Sequence, residues 1–151
     1  MVKKFLVFSV LLLSITFIGC NSSAGTAGKT TGIAVKQSKV TITPTVLSGG
    51  EGNEEIDLTI TIDGKKFKGD VDALSDAGYD IQGSSIFEDA YRVYFSIVPA
   101  DVTLGRIYAT NLGEKAEKVS IEIQLRKRTS TGFDVVDKTT VEVTINPIKL
   151  M

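Results

Sequence analysis

The sequence predicts an all-β domain: an antiparallel β-sandwich of about seven or eight strands, with one or two short helical turns in its middle. Two observations carry this. Apolar and polar residues alternate at a period of two in several separate stretches. The cleanest sets Ile56, Leu58, Ile60 and Ile62 against Glu55, Asp57, Thr59, Thr61 and Asp63. One face is then buried and one wet, as in antiparallel sheets. Turn signals also fall between these stretches at regular spacing, among them Asp63-Gly64, Asn111-Leu112-Gly113 and Thr129 to Gly132.

The chain opens with a different kind of segment. Met1 to Lys4 is basic, and Phe5 to Ile18 is uncharged and apolar apart from three hydroxyl residues. Gly19-Cys20 closes the run. This reads as a secretory signal peptide over residues 1–19. It is short for a bilayer span, which takes roughly 20 apolar residues.

Phe17-Ile18-Gly19-Cys20 resembles the lipobox of bacterial lipoproteins. The resemblance implies a diacylglycerol on the Cys20 thiol, cleavage between Gly19 and Cys20, and acylation of the new amino terminus. Two or three acyl chains anchor stably where one is marginal. Phe17 stands where the family usually has Leu. Asn21 is not the Asp that resembles an inner-membrane retention signal, so the outer membrane is allowed in a host that has one. The expected location is outside the cytoplasm, on a membrane. Cys20 is the chain's single cysteine, so once it is lipidated no internal disulfide is available.

Asn21 to Gly32 is small and polar, without an apolar pattern. Residues 20–32 therefore read as a lipidated cysteine and flexible tether of roughly 20 Å typical reach. Gly28-Lys29-Thr30 mimics the end of a P-loop, but Ser23 occupies the place of its first Gly and no strand precedes it. No nucleotide site is expected.

Residues 33–151 form the predicted domain. Val40, Ile42 and Val46 alternate with Lys39, Thr41, Thr43 and Thr45, and Pro44 marks an edge strand or a change of sheet. Ser48 to Asn53 is a loop. The strand ending at Asp63 turns at Asp63-Gly64, a hairpin signal, and returns through Val71. Residues 72–77 suit one or two helical turns, with Gly78 as a left-handed cap. Tyr79 to Gln82 reads as a short strand, and Ser85-Ile86-Phe87-Glu88 fits a capping box. Tyr91, Val93, Phe95 and Ile97 line one face of the next strand, which Val98-Pro99 ends. Arg106 to Thr110, Val119 to Leu125, Phe133 to Val136 and Val141 to Ile145 complete the set.

The stretch from Gly105 to Pro147 resembles the later strands of Ig-like or fibronectin-type bacterial extracellular domains. Its markers are Ile107-Tyr108-Ala109-Thr110-Asn111, Val119 to Leu125, and Val141-Glu142-Val143-Thr144-Ile145-Asn146-Pro147. The resemblance implies an Ig-like sandwich and no particular function.

Composition narrows the chemistry. The chain has 17 basic and 18 acidic residues. Loss of Lys3 and Lys4 leaves the mature chain more acidic, which is no nucleic-acid profile. It contains no His and no Trp. That removes His-based triads, HExxH zinc sites and the usual general base near neutral pH. No enzyme activity is expected.

Three groups stand out as candidate sites. Asp70, Asp72, Asp76 and Asp80 lie in an acidic middle, 70–101, where Arg92 is the single basic residue. Clustered carboxylates suit Ca²⁺ or a glycan, but EF-hand spacing is missing, and the plainer reading is helix-start and solubilising charge on a wet loop. Tyr94 and Tyr108 fall opposite in phase to their apolar neighbours. They would share an exposed face that contacts a protein or polymer, or else lie under other structure. Arg126-Lys127-Arg128 suits anionic headgroups or a solvated hairpin end. The expected function is a cell-envelope lipoprotein with a non-enzymatic binding or structural domain. The alternative is calcium or glycan binding in region 70–101.

Overall fold

A computed structural model of the protein describes residues 30–150. The predicted signal peptide, Cys20 and most of the predicted tether lie outside these residues. Ten strands follow: β1 (Gly32–Val35), β2 (Lys39–Ile42), β3 (Gly52–Ile62), β4 (Lys65–Lys66), β5 (Tyr79–Gly83), β6 (Ser85–Phe87), β7 (Tyr91–Val98), β8 (Asp101–Asn111), β9 (Glu117–Thr129) and β10 (Gly132–Ile145). One helix, α1 (Val71–Asp76), precedes β5, and a single 3-10 turn spans Val46–Ser48.

The strands form two sheets. Sheet one runs β1-β3-β8-β7-β6, with β4 added beside β3; sheet two runs β2-β10-β9-β5. Alternation explains which residues meet between them. Ile56, Leu58, Ile60, Val93, Phe95 and Ile107 project from sheet one. Ile121, Ile123, Leu125, Val141, Val143 and Ile145 project from sheet two, and all twelve are buried. Each contributes about 1.5–3 kcal/mol by leaving water. The expected all-β fold with a short central helix is the fold observed.

Local chemistry fixes several joints. Asp63 and Gly64 both hold positive φ, 49° and 77°, the requirement of a tight type I′ hairpin. The Asp70 carboxylate accepts from the Ala73 N–H at 2.8 Å and caps α1. Gly78, at φ 85°, lets the chain leave the helix as predicted. Gly83 and Gly105 flank the Phe95 ring. A Cβ on Gly83 would lie 2.7 Å from Phe95 Cγ, and one on Gly105 would lie 2.8 Å from Phe95 Cζ. Both glycines are needed for close approach rather than for a turn.

Other details differ from expectation. Ser85–Phe87 is a strand rather than a helix start, because its register with β7 (Ser85 opposite Tyr94, Phe87 opposite Arg92) supplies the backbone partners a helix would otherwise provide. Asn111 ends β8 and is fully buried, with the predicted turn following at Leu112 and Gly113. β8 begins at Asp101, five residues before the predicted Arg106. β2 pairs with β10 in parallel, so that Val40 lies beside Val143. With that parallel pair and a six-stranded first sheet, the arrangement is not a clear Ig sandwich.

The chain enters the domain beside β10. The Ile33 N–H donates to Asp137 Oδ2 at 2.9 Å, and the Gly64 N–H donates to the Thr30 carbonyl at 2.6 Å. Further on, the Glu142 N–H donates to the Ser38 carbonyl. From Ile33 to Ser38 the chain thus runs along β10 away from the β9–β10 turn. Among the described residues no helix is long and apolar enough to cross a membrane.

Candidate functional site

The outer face of sheet one brings the two predicted tyrosines together. Val93 and Phe95 of β7, and Ile107 and Ala109 of β8, point into the core, so Tyr94 and Tyr108 must point out. They are direct cross-strand partners. Their rings stack at 5.0 Å between centroids, with planes 13° apart. Such pairs contribute about 0.5–1.5 kcal/mol beyond their burial.

Polar groups surround the stack. The Tyr94 hydroxyl donates to Glu51 Oε2 at 3.3 Å. Partial burial, then the Glu51 carboxylate, holds the Tyr94 phenol above its ordinary value of 10.0. One step along the strands, Arg106 Nη2 meets Glu55 Oε2 at 3.4 Å. The Tyr108 hydroxyl and Glu55 both strengthen the hold of the Arg106 guanidinium on its proton. Asn53 stands opposite Tyr108 and completes the row. On the neighbouring edge strand Phe87 is 65% exposed and pairs with Arg92. The face therefore offers aromatic edges, two hydroxyls, two arginines (Arg92 and Arg106) and the carboxylates of Glu51 and Glu55.

The acidic middle is not brought to one point. Asp70 caps α1. Asp80 lies across sheet two, in a two-pronged pair with Arg126: Nε to Oδ1 at 2.9 Å and Nη2 to Oδ2 at 2.5 Å. Asp72 lies in the first turn of α1, the end that favours a carboxylate. Among the described residues no group of three or more acidic, His or Cys side chains is placed to hold a metal. A hollow of about 500 Å³ there is open and lined by Lys68, Gly69, Asp70, Ala100, Asp101 and Thr103. Its Asp101 carboxylate accepts from the Thr103 hydroxyl at 2.6 Å and the Thr103 N–H at 2.9 Å. Those bonds hold its carboxyl below the usual 3.8.

The basic run at the end of β9 is divided between tasks. Arg126 pairs with Asp80 and also lies over the Phe133 ring, 4.6 Å from its centroid. Arg128 donates to the Ser75 hydroxyl at 2.8 Å and lies 6.0 Å from the same ring. Lys127 is exposed. The Phe133 contacts escape sequence reasoning because they depend on the hairpin register, Phe133 opposite Arg128. So does the role of Asn111. Its Nδ2 donates to the Ile145 carbonyl at 2.9 Å and the Lys115 carbonyl at 2.8 Å, and its Oδ1 accepts from the Gly113 N–H at 2.9 Å.

No protein-family model matches this chain, and no curated protein matches it.

Proposed function

We propose that this chain is a cell-envelope lipoprotein, held outside the cytoplasm by acyl chains on Cys20. Its Ig-like domain acts without catalysis, binding a protein or polymer through the Tyr94–Tyr108 face. The observation that carries the reading is the aromatic stack on an open sheet face, ringed by Glu51, Glu55 and Arg106. The two tyrosines are half-buried, and tyrosine and arginine are among the side chains enriched at recognition surfaces. The lipobox supports the anchor. The Ig label draws support from the strand order, 1-3-8-7 facing 10-9-5, which parallels the ABED and GFC sheets of constant-type domains.

The test is a photo-crosslinking residue at exposed Ser96 in the producing cell, with detergent phase partition of the same extract. Wild type is expected to enter the detergent phase and form a discrete crosslinked product. Cys20→Ser is expected to leave the detergent phase. Tyr94→Ala combined with Tyr108→Ala is expected to stay anchored and lose the product. A product that survives the double substitution would refute the binding face. Anchored Cys20→Ser would refute the lipobox.

A further inference from the structure

We infer that the β9–β10 hairpin end of the domain is a membrane-contacting surface, which rests against anionic lipid headgroups. The inference takes acylated Cys20, proposed above, as its starting point.

Three observations converge on this end of the molecule. The first is where the chain enters. Thr30 is hydrogen-bonded to the Asp63-Gly64 turn, and Ile33 to Asp137 of β10. From there the chain runs away from the hairpin turn, so residues 30–32, just before Ile33, lead back toward it. Ten residues separate Cys20 from Thr30. Even fully extended they span at most roughly 35 Å, so the anchor keeps this end, rather than the opposite one, near the bilayer.

The second observation is exposed apolar surface on the hairpin. Phe133 is 44% exposed, Val135 49% and Val136 40%. A register shift between Val135 and Asp137 leaves Val136 without a partner across the ladder, the mark of a bulge that re-aims side chains. β2 covers β10 only from Glu142 onward, so it does not reach these residues.

The third is charge. Lys127 and Arg128 sit on the hairpin, and exposed Lys65 and Lys66 follow the Asp63-Gly64 turn beside Thr30. Asp63 and Asp134 lie among them. α1 meets the same end, because Arg128 donates to the Ser75 hydroxyl and its N–H to the Gly78 carbonyl, so Asp72 and Asp76 of that helix add acids to one flank. Cations ringing a small apolar tip are the chemistry of an anionic interface, where each basic side chain adds to the attraction.

The chain contains no Trp, so one introduced indole reports alone. Phe133→Trp is placed in the full chain and reconstituted into phosphatidylcholine vesicles with and without phosphatidylglycerol, the acyl chains brominated. Val135→Trp is a second reporter in case the first perturbs the hairpin. Leu47→Trp, at an exposed site on the 3-10 turn, is the control. Quenching and a blue shift are expected at 133 and 135, stronger with phosphatidylglycerol, and absent at 47. Lys127→Glu with Arg128→Glu should reverse the effect. Water-like emission at both hairpin sites in an anchored chain would overturn the inference, as would quenching indifferent to lipid charge and to both substitutions. Intact mass shows separately whether Cys20 is acylated. If it is not, the anchor reading fails by itself. The unacylated chain added to phosphatidylglycerol vesicles then decides the hairpin. Binding that falls on the order of tenfold on removing both cations upholds it, and no binding overturns it.

Discussion

The two outer faces of the sandwich are built from the same alternation and dressed differently. On sheet two the outward side chains answer one another: Arg126 with Asp80, Lys138 with Glu122 at 2.8 Å, and Lys39 with Glu142 at 3.0 Å. On sheet one the centre of the face is the Tyr94–Tyr108 stack, with Arg106 and Glu55 beside it and Phe87 exposed at the edge. Charges neutralised by their own neighbours leave little apolar surface for a partner over that stretch, and only toward the β9–β10 turn do Phe133 and Val135 stand exposed. Aromatic rings on an open face retain apolar surface that a partner can cover. That contrast is why the binding proposal belongs to sheet one.

The largest expected effect tests whether both sheets press equally on one ring. Gly83 of sheet two and Gly105 of sheet one both leave room for Phe95. Gly105→Ala is expected to lose about 1–3 kcal/mol by overpacking, measured by urea unfolding, and Gly83→Ala a similar amount. Phe95→Leu should relieve either substitution, giving double variants more stable than additivity predicts. Strict additivity would mean that the sheets do not meet through this ring.

Neither glycine announces this in the sequence, and the reason is general. The strands whose faces alternate were legible because their signal is local: Ile56 to Ile62, Tyr91 to Ile97, Val119 to Leu125 and Val141 to Ile145. So were Asp63-Gly64 and the α1 boundary at Gly78, where backbone conformation restricts residue type. Features that depend on distant partners were not. Gly105 falls just outside the predicted strand that starts at Arg106, and its need is seen only with Phe95 against it. Asn111 reads as a turn residue until Ile145 and Lys115 present their carbonyls. Ser85 to Glu88 fits a helix cap, yet β7 takes it as a strand. At the candidate site, phase alone put Tyr94 and Tyr108 on outward faces. Their direct pairing, and Glu51 reaching Tyr94 from the start of β3, required the register between strands.

A smaller effect sharpens the contrast at the aromatic pair. A double-mutant cycle through Tyr94→Ala and Tyr108→Ala is expected to give a coupling of about 0.5–1.5 kcal/mol in unfolding free energy. The matching cycle through Lys138→Ala and Glu122→Ala should give less, since exposed ion pairs are screened. Equal couplings would remove the distinction between the faces.

The smallest effect is the pH dependence, and its sign separates the two faces. Lys138, then Gln124, holds the Glu122 carboxyl below its ordinary value of 4.5. Its contribution is therefore present above that pH and lost as pH falls through the lower folded value. Tyr94 is held above 10.0, chiefly by partial burial. Its contribution is present below that pH and lost as pH rises through the higher folded value. Lys138→Ala should flatten the acid limb of a plot of Tm against pH and leave the alkaline limb alone. Tyr94→Phe, which keeps the ring and removes the titrating hydroxyl, should do the reverse. If Tyr94→Phe also changed the acid limb, Glu51 would be drawing its folded-state stabilisation from that hydroxyl, and the sheet-one face would be a coupled polar network rather than an aromatic pair with charges beside it.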